Sequence, residues 1–159
     1  MQTIKFRAWD NVAFQMYHPG EEDNIVFALE DNGIVATDIT QEEEEFQTLH
    51  HLEYMQFTGL HDRNGKEIYE HDFIELHQFL FDGEEFENEL IGEVIYNPGA
   101  CAFSLTNIKH EGVKSYMGYR EDEDCGSVPM FDFYGLHEES FTVLGNRFEN
   151  PELLKEETK

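Results

Sequence analysis

Eight histidines stand among 35 acids in a chain of 159 residues, so a metal centre is the first chemistry to consider. His71, Glu75 and His77 would share one face of an extended segment, and His50 and His51 are adjacent. A zinc site needs three or four converging ligands with outer contacts that orient them, and a single strand face supplies no such enclosure. These histidines therefore read as exposed polar residues. None of the acidic stretches has the alternating ligands of a calcium loop. For nucleophilic catalysis the candidates are Cys125 and Ser127 in Cys-Gly-Ser. Nothing beside them forms a nucleophile elbow, and the carboxylates from Glu121 to Asp124 would raise the thiol's pKa rather than lower it. Paired carboxylates are so numerous that no pair stands out for acid–base work. The sequence thus assigns no catalytic residue, no cofactor site and no metal site.

The elements that must position any site read mainly as strands. Ile4, Phe6 and Ala8 alternate with Lys5, Arg7 and Trp9, and Val12, Phe14 and Met16 follow against Ala13, Gln15 and Tyr17. This predicts a hairpin turning at Asp10-Asn11, apolar on both faces. One face packs on the core, and the other is left for solvent, a second lobe or a partner. Trp9 and Tyr17 are the expected partner contacts, because Trp and Tyr commonly anchor interfaces. A second hairpin is predicted over Ile25 to Leu29 and Ile34 to Ile39, turning at Glu30-Asp-Asn-Gly33. Thr40-Gln-Glu-Glu43 has capping-box spacing, and the segment that follows suits either a helical turn or an acidic loop.

The central stretch is the most specific. Asp62-Arg-Asn-Gly65 places Asp, Asn and Gly where a type I turn with a left-handed glycine bulge needs them. With Asp62 opposite Lys66, Leu60 falls opposite Ile68, matching charge with charge and apolar with apolar. A two-residue Asn64-Gly65 loop would instead oppose Asp62 to Glu67, so the bulged loop is expected. Beyond it, Asp72-Phe-Ile-Glu-Leu76 leads through an acidic segment to Ile91-Gly-Glu-Val-Ile-Tyr96, a turn at Asn97-Pro98-Gly99, and Ala102-Phe-Ser-Leu-Thr106. Strand, long loop, strand with an early Gly, tight turn and strand is the order of a small SH3-like barrel-type lobe, an analogy that carries no function. Glu121 to Asp124, with Gly126 and Pro129, reads as a surface loop. Asn150 and Pro151 predict a short C-terminal helix that docks Leu153 and Leu154 on the sheet.

Met55-Gln-Phe-Thr-Gly-Leu60, Asn64-Gly-Lys-Glu-Ile-Tyr-Glu70 and Asp72 resemble the central block of the YopX family of phage and prophage proteins. Ile4-Lys-Phe-Arg-Ala-Trp-Asp10, Gly92-Glu-Val-Ile-Tyr96, Val143-Leu-Gly-Asn146 and Glu149-Asn-Pro-Glu-Leu-Leu154 extend the resemblance over most of the chain. It implies a mainly β, phage-related protein and carries no catalytic residues over to this chain. His71 departs from the pattern, which usually has Gly there, and this puts a left-handed backbone at that position in question.

Composition bounds the rest. The length suits one YopX-like domain over 1–159, with lobes 1–58 and 59–159 as its natural halves. Two cysteines, Cys101 and Cys125, make no disulfide framework. Nothing resembles a signal peptide or an apolar run of spanning length, so a cytoplasmic protein without membrane contact is expected. Thirty-five acids face ten bases, and from Ala8 to Asp62 there is no Lys or Arg. Such a surface repels phosphates and argues against direct nucleic-acid binding. It also raises the alternative of an acidic DNA mimic that inhibits a DNA-binding host protein. A chain of 18.7 kDa exposes roughly 8,300 Å², or about 330 Å² per net charge, against about 110 Å² on duplex DNA. The average surface is about threefold too dilute, so mimicry requires acids gathered on one face. The sequence therefore reads as a mainly β, non-catalytic interaction or regulatory module. Its expected partner is a protein, either a host DNA-binding protein or a phage protein, and a homo-oligomer stays open. An enzyme or metal-binding protein is the remaining alternative.

Overall fold

The computed structural model describes residues 4–81, 85–99, 101–111, 128–129 and 140–154. The chain divides into two compact units, Met1–Phe57 and Thr58–Lys159. Both are built of antiparallel strands, as the period-two patterning predicts, and the only described helical elements are short 3-10 turns.

In the first unit, β1 (Phe6–Asp10) lies between β2 (Gln15–Tyr17) and the first half of β6 (Leu52–His61). A second sheet has the order β3 (Ile25–Glu30), β4 (Gly33–Asp38) and β5 (Gln47–Thr48). Its hairpin closes on Asp31 and Asn32 alone, with Glu30 opposite Gly33, one residue tighter than the turn at 62–65. Gly33 takes φ +125°, a conformation only glycine adopts easily. Ala8, Tyr17, Ala36 and Leu52 form the core, with Ile25, Phe27, Leu49 and Tyr54 packed against it. Phe6, Phe27 and Tyr54 meet edge to face with centroids 5.6 to 6.5 Å apart, which ties the two sheets together. The acidic stretch forms a 3-10 turn at Glu43–Glu45. Thr40 does not cap it, since Thr40 N–H is held by Asp38 Oδ1 at 2.8 Å and the turn starts after Glu42.

The second unit opens with the rest of β6, paired to β7 (Glu67–Tyr69). It continues as a meander of β8 (Asp72–Phe81), β9 (Glu85–Asn97), β10 (Ala102–Glu111) and β11 (Val128–Pro129), and β12 (Phe141–Asn146) returns to pair with β8. The order β11-β10-β9-β8-β12 is that of an SH3-like barrel-type lobe, curled into a half-barrel. Ile68, Ile74, Leu76, Val94, Leu105 and Phe141 fill it, with Leu60, Phe103 and Val143 at its margin. Gly92 permits the close approach of β10. A Cβ there would stand 2.8 Å from both Leu105 Cβ and Thr106 O.

Two local expectations are revised. The loop expected over residues 121–129 includes the strand Val128–Pro129, which sits at the sheet edge where a proline costs no ladder bond. The rest of that segment lies outside the described residues. The C-terminal helix is a single 3-10 turn, Pro151–Leu154. Asn150 Oδ1 accepts from Asn146 N–H behind it at 3.3 Å instead of capping the turn ahead.

Candidate functional site

The first hairpin turns differently from its alternation, and one carboxylate is the reason. Asp10 Oδ1 accepts the N–H groups of Val12 and Ala13, both at 2.7 Å. Phe14 N–H donates to Asp10 C=O at 2.8 Å, closing a five-residue turn over Asp10 to Phe14. Two neighbours fix the same carboxylate: Tyr17 OH donates to Oδ2 at 3.1 Å, and His51 Nε2–H donates to Oδ1 at 3.0 Å. An ionised carboxylate only accepts, so the His51 proton on this bond sits on Nε2. Asn11 Nδ2 adds bonds to Glu53 Oε1 at 2.8 Å and to His51 C=O at 3.3 Å, which pin the turn to the start of β6. Burial pushes the Asp10 carboxyl up, but the bonds from Ala13, Val12 and Tyr17 and the His51 charge outweigh it and hold the pKa below the ordinary range. The same contact works the other way on Tyr17, whose phenol is raised by burial and by the Asp10 charge.

This turn presents Phe14 at φ +55°, a left-handed conformation that a bulky residue rarely takes, with its ring 76% exposed. Val12, two residues earlier in the same turn, is exposed as well. Trp9 and Tyr17, the expected partner contacts, are only 7% and 6% exposed. Trp9 faces Met16 and Ala8 faces Tyr17 across the β1–β2 ladder, and both faces of β1 are covered. Alternation showed that both faces are apolar, and it carried no sign of the turn that carries Phe14 outward.

In the second unit the structural turn Asp62, Asn64 and Gly65 takes its expected form. Asp62 N–H donates to Lys66 C=O at 2.8 Å, Gly65 N–H donates to Asp62 C=O at 2.9 Å, and Gly65 has φ +79°. The Asp62 carboxylate accepts from Asn64 N–H at 2.8 Å, Lys66 N–H at 2.9 Å and, from β12, Val143 N–H at 3.2 Å. Burial raises this group, and the backbone donors, Lys66 first, bring it below the ordinary carboxylate value.

A second carboxylate centre was not visible in the sequence. Buried Glu93 on β9 receives His71 Nδ1–H on Oε1 and Arg147 on Oε2, each at 2.7 Å. Burial raises Glu93, and the hydrogen bonds and charges of His71 and Arg147 reverse that and lower it. His71 lies in the β7–β8 turn at φ +64°. The left-handed backbone put in question by the missing glycine is therefore present, with His in it. Its N–H donates to Val94 C=O at 2.8 Å, its C=O accepts from Arg147 N–H at 3.0 Å, and its ring meets Phe148 edge-on at 5.8 Å. A histidine oriented by a carboxylate is also the arrangement that general bases use. Here Arg147 holds the same carboxylate, and Nε2 makes no hydrogen bond among the described residues.

His71, Glu75 and His77 do not share one strand face, because His71 is in the turn and not on the strand, and His71, read as an exposed polar residue, is instead half-buried against Glu93. No cluster of three or more His, Cys, Asp or Glu able to hold a metal occurs among the described residues. Cys101 is exposed with a free thiol, and Cys125 and Ser127 lie outside the described residues. No described helix is long and apolar enough to cross a membrane.

The class so defined is an all-β protein of two units whose buried acids organise turns. The model of the YopX protein family matches residues 5–155, and the chain belongs to that family. A crystal structure of protein EF1440 from Enterococcus faecalis is 22% identical to it, with a TM-score of 0.48, and the match covers 98% of this chain and 100% of that one. No curated protein matches.

Proposed function

We propose that this YopX family member is a non-catalytic interaction module, encoded by a phage or prophage, that binds another protein through its N-terminal unit. The observation that carries the reading is Phe14, an exposed ring held at φ +55° on a turn fixed from several sides. A left-handed bulky residue costs about 1–2 kcal/mol. Sequences keep such strain where the residue's placement serves a purpose, and burying a phenyl ring in a partner returns about 1.5–3 kcal/mol.

The test is capture from a bacterial host lysate at low and at high salt, using the wild-type chain and Phe14→Gly. Glycine suits the backbone there, so the variant removes the ring while keeping the turn. The expected result is a bound protein that persists at high salt and is lost with Phe14→Gly. Capture that disappears with salt, ignores Phe14, and ends when duplex DNA competes would favour the DNA-mimic reading instead.

A further inference from the structure

β3 is an edge strand without the usual protection. Ile39 N–H donates to Asn24 C=O at 2.9 Å, so Asn24 and Ile39 are a hydrogen-bonded pair. Counting by twos along the register makes Val26–Thr37, Ala28–Val35 and Glu30–Gly33 hydrogen-bonded pairs as well. The N–H and C=O groups of Ile25, Phe27 and Leu29 therefore point away from β4. No described strand pairs with that side. Edge strands are normally blunted by Lys, Pro or a bulge, and Ile25–Glu30, read Ile-Val-Phe-Ala-Leu-Glu, has none of them. The side chains of Val26 and Leu29 are exposed, Leu29 by 83%.

The charges around this edge select its occupant. Glu21, Glu22 and Asp23 precede the strand, Glu30 and Asp31 close it, and no Lys or Arg occurs from Ala8 to Asp62 to neutralise them. We infer that the outer edge of β3 accepts an extended segment of a partner protein as an added strand, apolar at its centre and carrying Lys or Arg at both ends. Main-chain bonds to Ile25, Phe27 and Leu29 would give affinity, and the flanking acids would give selectivity. A second copy of this chain fits worse. Antiparallel pairing of two β3 strands about Phe27 brings Glu30 and Asp31 of one toward Asp23 of the other, and like charges opposite one another destabilise a ladder.

The inference rests on the interaction-module reading but not on Phe14, and one titration separates them. The probe is a fluorescein-labelled peptide of alternating Val and Thr with two Lys at each end, titrated into the full chain and followed by anisotropy. Binding is expected, with slowed amide exchange at Ile25, Phe27 and Leu29. Leu29→Pro removes an outward donor and leaves the β4 ladder intact, and Val26→Lys places a like charge beside the probe. Each should weaken binding about tenfold or more, as should replacing the peptide's Lys by Glu. Phe14→Gly should leave the affinity unchanged. The inference is overturned if the Lys-ended peptide does not bind, if the Glu-ended peptide binds equally, or if Leu29→Pro and Val26→Lys both have no effect. Loss on Phe14→Gly alone would assign the contact to the hairpin turn, which sinks the edge proposal and spares the module reading. Salt-dependent dimerisation abolished by Leu29→Pro would make the occupant a second copy, and the inference would fail.

Discussion

Replacing His71 by glycine sets two physical effects against each other at one residue. Glycine relieves a left-handed conformation that costs a larger residue about 1–2 kcal/mol. It also frees the unfolded chain, which takes back about 0.4–1 kcal/mol, so the backbone alone favours glycine by roughly 0–1.5 kcal/mol. Against this stands the 2.7 Å bond to buried, ionised Glu93, of a type worth about 1.5–3 kcal/mol. The edge contact with Phe148 adds about 0.5–1.5 kcal/mol. The side chain should win, and His71→Gly should destabilise by about 1–3 kcal/mol, or roughly 3–10 °C in melting temperature for a chain of this length. Urea and thermal unfolding followed by circular dichroism measure this. The decisive control is Glu93→Ala, because in that background the bond is gone, the strain relief and the Phe148 contact nearly cancel, and His71→Gly should be close to neutral. Equal cost in both backgrounds, or a wild-type chain stabilised by glycine, would refute the claim that the Glu93 bond holds His71 in its strained turn.

Gly65→Val should cost about 1 kcal/mol or more purely through backbone strain, since a Cβ at Gly65 meets nothing within 4 Å, and chemical denaturation would show it. Gly92→Ala should cost about 1–3 kcal/mol for the opposite reason, overpacking against Leu105 Cβ and the Thr106 carbonyl, and Leu105→Ala, which keeps that Cβ, should not rescue it in the double variant. Asp10, Asp62 and Glu93 have folded-state pKa values below their unfolded ones. Their contribution is complete above the ordinary carboxylate range and is lost as pH falls through the lowered values. Glu93→Gln should therefore flatten the acid limb of stability against pH by up to about 1.4 kcal/mol per pH unit. Finally, Phe14→Gly should leave the melting temperature unchanged or slightly raised, since strain relief equals or exceeds the chain-entropy loss and the ring is exposed; a large loss would mean that Phe14 is a packing residue.

What could be read from the sequence was what is local. Asp62-Arg-Asn-Gly65 fixes its turn with four consecutive residues, and the strand order around Gly92 fixes the meander, because turn chemistry and period-two patterning need no distant partner. The hairpin at Asp10 was expected with a shorter turn, and its length was missed because a short acidic side chain captured the backbone donors that alternation assigns to a ladder. The Glu93 centre was missed because its partners lie 22 and 54 residues away, and no spacing rule links them. Trp9 and Tyr17 show the limit of composition: an aromatic on an apolar strand face is recognisable, while whether that face is covered depends on tertiary packing.

Asp10, Asp62 and Glu93 divide the acidity of this chain into two populations with different evolutionary freedom. Exposed acids among the described residues, such as Glu30, Asp31 and Glu44, stand in water, and drift could exchange them for other polar residues one at a time. Asp10, Asp62, Asp72 and Glu93 are buried, and Asp10, Asp62 and Glu93 accept bonds from several partners each, so even asparagine or glutamine there, with one acceptor oxygen in place of two, would leave a donor stranded. A variant of this protein with much less negative charge is thus physically accessible, provided that its substitutions leave those buried positions alone. Relatives with very different net charge should share the turns while differing in the field that they present to partners.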